Sequence, residues 1–245
     1  MIKIVSFKIC PFVQRVTAML EAKGLPYDIE YISLKDKPDW FLELSPNSQV
    51  PLLVTQGGVA LFESDAIVEY IDEISAPLQP DLTPEARALN RAWSYQGSKH
   101  YLVQCSTMQS ADHATYLERH AKLAKAFAKA EAQLADGPFF NGATLGNVDM
   151  AWLPLLHRAA IVQAHSSHDM LAGLPKAQAW QQALMATGLP TKTVSPDFEE
   201  AFARFYLAER TWLGRGASAP APRPQKLPVA AVANRKGGSP DPPFY

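Results

Sequence analysis

Two periodicities divide this chain, and the break between them falls at residues 75–84. Up to residue 74 short apolar runs alternate with helical stretches, whereas beyond residue 84 the apolar spacing is helical throughout. The segment between holds Pro77, Pro80 and Pro84. Proline fixes φ and lacks a backbone donor, so regular structure stops there. The first part reads as a strand over 3–7, a helix over 13–23 ended by Gly24 and a strand over 27–32. A short helix over 38–44 follows, then a strand over 50–54, the turn Gln56-Gly57-Gly58, a strand over 59–62 and a helix over 66–74. That order is βαβ followed by ββα. The second part reads as long helices over 85–108 and 113–134, an apolar helix over 148–164 suited to a buried centre, and helices over 174–187 and 196–212. The expected architecture is therefore an α/β domain over 1–76 and an all-α domain over 85–213. From Gly214 the chain turns to Pro, Gly, Ala and basic residues without periodicity, which predicts a disordered tail over 214–245.

Charge and composition narrow the function classes. A formal net charge of −1 gives no electrostatic case for nucleic acid or an anionic membrane as partner. Two cysteines supply no disulfide framework and suit a reducing compartment. The start, MIKIVSFKIC, lacks the long apolar core of a signal peptide, and no run approaches eighteen apolar residues. A soluble, cytoplasmic protein is expected. His113 with His120, and His165 with His168, have no further Cys or Asp at ligand spacing, so no metal is expected. No Gly-rich phosphate loop is present.

The chemistry-bearing stretch is Cys10-Pro11-Phe12-Val13, between the first strand and the first helix. A thiol there meets unpaired backbone N–H groups and the positive end of the helix dipole, which favour thiolate over thiol. Proline suits the first helical turn. The residue three positions on is Val13 rather than a second cysteine, so no internal disulfide closes in this motif. Mixed-disulfide chemistry with an external thiol is the reading, against the bland alternative of a small packed cysteine.

Taken together, Cys10-Pro11-Phe12, Val50-Pro51 and Glu63-Ser64, in this order, resemble the glutathione S-transferase superfamily. The segments ISLKDKPDWFLELSPNSQVPLL and LFESDAIVEYIDE are similar to the cysteine-type omega class and its bacterial relatives. PFFNG, and Asp149 and Pro154 in GNVDMAWLPLL, sit where the family has its interior helix and capping motif. The similarity spans roughly residues 1 to 212, weakly between 90 and 135.

The resemblance implies a thioredoxin-like N-terminal domain, a helical C-terminal domain, and glutathione as co-substrate. It implies that Cys10 forms a mixed disulfide with glutathione and that Phe12 flanks the thiol. Pro51 would follow a cis bond, leaving the backbone of Val50 to pair with the glutathione backbone like an added strand. Glu63 would accept from the γ-glutamyl ammonium, and Ser64 would serve its carboxylate at a helix N-terminus while capping that helix. Lys37, or Lys35 two residues away, would meet the glycyl carboxylate. Two positions depart from the pattern: Asp65 replaces a small residue, and Gly146 replaces a Ser or Thr cap, whose role Thr144 or Asn147 could take.

The second domain should line a pocket for a small hydrophobic or disulfide substrate. Trp93, Tyr95, His100 and Tyr101 are candidates, each with core packing as the plainer alternative. Cys105 reads as a spectator. A homodimer is usual for the family. The activity implied is thiol transfer or reduction through Cys10. One alternative is glutathione conjugation, which needs a hydroxyl such as that of Ser6. The other is a non-catalytic binding or regulatory protein on the same fold.

Overall fold

A computed structural model describes residues 1–216. Of the disordered tail expected over 214–245, Gly214 and Arg215 instead belong to a 3-10 turn, and the part from residue 217 onward lies outside the described residues. The N-terminal part runs β1 (Ile2–Ser6), α1 (Pro11–Ala22), β2 (Tyr27–Tyr31), α2 (Asp39–Leu44), β3 (Leu52–Val54), β4 (Ala60–Phe62) and α3 (Ser64–Glu73). The sheet order is β2-β1-β3-β4. β1 runs parallel to β2, with Ile2 opposite Tyr27 and Ser6 opposite Tyr31. It runs antiparallel to β3, with Ile4 opposite Leu53. β3 and β4 form the hairpin expected from Gln56-Gly57-Gly58, where Gly58 takes φ 84°. Ile4, Leu53, Val16, Leu20, Ile67 and Ile71 are all fully buried where α1 and α3 cover one face of this sheet. Val5, Leu52 and Phe41 form a smaller cluster under α2 on the other face.

The remainder is helical: α4 (Pro84–Ser98), α5 (Tyr101–Met108), α6 (His113–Gln133), α7 (Asn147–Ser166), α8 (Pro175–Ala186), α9 (Leu189–Lys192) and α10 (Phe198–Tyr206), then a 3-10 turn at Leu213–Arg215. α7 is the axis of this part. Every residue from Val148 to Ala159 along it is buried, matching an apolar stretch with no polar face. α7 packs on α1, and that contact joins the two parts directly beneath Cys10.

Three expectations need correction here, and one element is new. The helix over 85–108 is two helices, bent at Lys99-His100, where Lys99 and His100 donate to the carbonyls of Tyr95 and Gly97. Both residues keep right-handed backbone angles, so the apolar period runs through the bend unbroken and gives no sign of it. The helix over 196–212 stops at Tyr206: the hydroxyl of Thr211 donates to the carbonyls of Tyr206 and Ala208, capping the end. The short α9 was not foreseen. Finally, neither Thr144 nor Asn147 replaces the missing cap at Gly146. Asn147 instead reaches Asp72, and Asp149 accepts from the N–H of Gly146 at 2.7 Å. The space a capping side chain would fill holds the carboxamide of Gln79, 2.5 Å from a Cβ built on Gly146.

Asp149 also accepts from Phe140 N at 2.9 Å and from Trp180 Nε1 at 2.7 Å. It thereby ties α7, α8 and the loop at 135–146 together. Burial pushes its carboxyl up to about 6, against the pull of those three donors.

Candidate active site

Cys10 is the N-cap of α1, in extended backbone geometry, with Pro11 as the first helical residue. Its N–H donates to Phe7 O at 3.2 Å, closing the turn out of β1. The sulfur lies against the N–H groups of Phe12 and Val13, as expected for a helix start. The expected low thiol pKa is not what the fold produces. Cys10 is 6% exposed, and burial pushes the thiol up to about 11; the two N–H groups and Arg158 pull it down but do not prevail. A helix N-terminus favours the anion, but withdrawing sulfur from water costs the anion more here.

Phe12 packs edge-on against Tyr101, ring centroids 5.0 Å apart, so α5 closes over the helix start. Tyr101 is fully buried and donates to Ala151 O on α7. Of the four aromatic candidates it is the one beside Phe12. Trp93 and His100 instead line a groove of about 280 Å³ with Trp152 and three lysines of α6, a groove without Cys10 or Phe12. Tyr95 is half-buried on α4. Ser6 donates to Phe7 O at 2.8 Å, so its hydroxyl is engaged in the turn.

Val50 and Pro51 precede β3, and the bond between them is cis. Glu63 sits at φ 64° between β4 and α3, a left-handed conformation unusual for a glutamate. It, rather than Ser64, is the N-cap; Ser64 is the buried first residue of α3. The carboxylate of Glu63 accepts from Asn47 Nδ2 at 3.0 Å. Lys37 donates through Nζ to the carbonyl of Ser48 at 2.8 Å, bracing the turn that leads into Val50. Lys35 is exposed. Asp65, the departure noted in the sequence, pairs with the buried Arg15 of α1 and accepts from Ser98 Oγ of α4 at 3.4 Å.

Cys10, Phe12, Val50, Pro51, Glu63 and Ser64 thus lie at strand ends and helix starts of one unit, with Lys37 on the neighbouring loop. The sequence reading missed Asn47, Gln14 and Arg158. Arg158 had a visible signal: it is a lone cation in an apolar helix, nine residues after Asp149.

Cys105 is half-buried on α5, its thiol pushed up by burial and drawn down by Arg158 and by a hydrogen bond with Tyr206. Tyr116 meets His168 Nε2 at 2.5 Å and stacks on His120. Among the described residues no helix is long and apolar enough to cross a membrane.

Comparison with known proteins agrees with this geometry. Residues 9–74 match the family model of the glutathione S-transferase N-terminal domain, and residues 114–183 that of the C-terminal domain. Over 156 residues the chain is 33% identical to the probable cytosolic glutathione S-transferase DHAR1 of Oryza sativa subsp. japonica, covering 64% of this chain and 70% of that one. It is 29% identical over 189 residues to glutathione S-transferase omega-1 of Sus scrofa, covering 76% and 77%. The crystal structure of glutathione transferase Omega 3C from Trametes versicolor superposes with a TM-score of 0.69 at 25% identity, covering 79% of this chain and 89% of that one. With both domain models matched in order, the sheet and helical parts arranged as the order of elements implied, and omega-class relatives on both comparisons, the chain belongs to the glutathione S-transferase family.

Proposed function

We propose that this chain is a glutathione-dependent thiol transferase that works through a Cys10–glutathione mixed disulfide. The observation that carries this reading is the position of Cys10: a thiol, not a serine or tyrosine hydroxyl, stands at the N-cap of α1, and the cis Val50–Pro51 edge leads into β3, the strand paired with β1. Glutathione would lie along that edge, pairing with the backbone of Val50. Its γ-glutamyl end would meet Glu63 and Ser64 at the start of α3, where free N–H groups suit a carboxylate. Its glycyl end would turn toward Lys37, and Phe12 would flank its sulfur.

The Cys10 thiolate attacks the glutathionyl sulfur of a mixed disulfide. A Cys10–glutathione S–S bond forms as the substrate S–S bond breaks, and the substrate leaves as thiolate. A second glutathione thiolate then attacks that bond, releasing oxidised glutathione and returning the Cys10 thiolate. With the thiol held high by burial, the reactive fraction is small at neutral pH and grows with pH, while each thiolate is the stronger nucleophile for its high pKa.

Mass spectrometry after incubation with oxidised glutathione tests the reading. One adduct at Cys10 is expected, absent in Cys10→Ala, with disulfide exchange lost in the same variant. An adduct confined to Cys105, or undiminished exchange in Cys10→Ala, rejects it.

A further inference from the structure

Arg158 is fully buried in α7, yet no carboxylate pairs with it among the described residues. Its side chain crosses from the helical part into the N-terminal part. Nη2 donates to Ile9 O at 3.1 Å, and Nη1 donates to Gln14 Oε1 and, at 3.0 Å, to Pro154 O of its own helix. Ile9 and Gln14 stand immediately before and one turn after Cys10, so the guanidinium grips both sides of the cysteine. Its Nε finds no hydrogen-bond partner among the described residues. The ring of Phe198 lies 5.4 Å from its Cζ. The acidic groups that feel its charge are Cys105, Tyr206, Cys10 and Tyr101, all neutral at physiological pH.

A buried guanidinium without a counter-charge carries a heavy desolvation penalty, and three carbonyl oxygens and an aromatic face offset that only in part. A hydrophobic residue would fill the space more cheaply. What the charge does supply is a fixed positive potential beside a sulfur that must turn anionic to react. We propose that Arg158 is a positioning residue for Cys10, holding the cysteine turn from the helical part and compensating the negative charge that develops on its sulfur. The inference rests on Cys10 being the reactive thiol, the reading given above. It adds that the helical part takes a direct share in the thiol chemistry, beyond walling a substrate pocket.

The experiment reads iodoacetamide alkylation of Cys10 and of Cys105 separately, by peptide mapping of the full-length chain across a pH series. Wild type is compared with Arg158→Met, Arg158→Gln and Arg158→Lys, each checked for folding by circular dichroism. In the neutral variants the Cys10 profile should move to higher pH, and its rate at mildly alkaline pH should fall about tenfold. Arg158→Lys should keep the profile near wild type, because the charge stays. A mere packing role would leave the profile in place whatever the loss of stability. Unchanged Cys10 profiles in a folded neutral variant, or a shift at Cys105 alone, overturn the proposal. Should both neutral variants fail to fold, Arg158→Lys decides: a Cys10 profile displaced about tenfold despite the retained charge rejects it. The Cys10→Ala exchange assay is independent, so loss of the thiol-transfer reading would be recognised separately.

Discussion

Gln14 Nε2 donates to His157 Nδ1 across 2.8 Å, joining α1 to α7 although the residues stand 143 positions apart. The orientation of the amide is decided by its other end, where Gln14 Oε1 accepts from Arg158. His157 Nδ1 is therefore an acceptor, and its ring is neutral. Burial, and then the charge of Arg158, push His157 down to about 3.

A stability profile follows from that value. His157 titrates near 6.5 when unfolded and near 3 when folded, so the unfolded chain binds the extra proton between those values. Its contribution is complete above the unfolded value and is lost as pH falls toward 3. In urea titrations at a series of pH values, His157→Gln should remove about 2–4 kcal/mol of the acid-induced loss. An acid limb as steep as wild type would contradict the assignment.

Alkylation of Cys10 should accelerate steadily with pH toward about 11 rather than level off near neutrality, because burial raises the thiol. The reading is the iodoacetamide rate at the Cys10 peptide. A plateau below the range of an ordinary free thiol would show that the helix N-terminus outweighs burial.

Asp149→Ala strands three donors at once: Phe140 N, Gly146 N and Trp180 Nε1. Each buried donor left unsatisfied costs about 1–3 kcal/mol, and relaxation makes the sum smaller than the parts. A loss of about 3–5 kcal/mol is expected, measured by denaturant unfolding. A loss below 1 kcal/mol would mean that the loop at 135–146 finds other acceptors.

Asn47→Ala removes the hydrogen bond to Glu63 at an exposed turn, where folding is not at stake. If Glu63 receives the γ-glutamyl ammonium, the KM for glutathione should rise about 2–5-fold with kcat unchanged, the size of one modest hydrogen bond. Steady-state kinetics with glutathione varied reads this directly. An unchanged KM would remove Asn47 from the site.

Gly97 approaches α7 so closely that a Cβ there would stand 3.0 Å from Ala151 O and 3.1 Å from Trp152 Cδ1. Gly97→Val should lower stability by about 1–3 kcal/mol through overpacking. Thermal unfolding of the variant checks it; a wild-type midpoint would show that α4 can slide away.

Sequence by itself determined the order of elements through α3, the hairpin at Gln56-Gly57-Gly58, the buried axis of α7 and the place of Cys10 at a helix start. These follow from local rules: periodicity of apolar side chains, proline and glycine backbone limits, and the unpaired N–H groups of a first turn. The bend at Lys99-His100 escaped because the apolar period runs on past Gly97-Ser98, the Gly-Ser pair that marks it, and the backbone angles there stay helical. What surrounds Cys10 was equally out of reach. Whether its sulfur ionises depends on how much water α5 and α7 exclude and on where the guanidinium of Arg158 comes to rest. Ile9, Gln14, Tyr101, His157 and Arg158 meet only when α7 packs on α1. Only the tertiary structure decided that the cost of burial outweighs the helix N-terminus, because a solvation energy belongs to the packed whole and not to any stretch of chain.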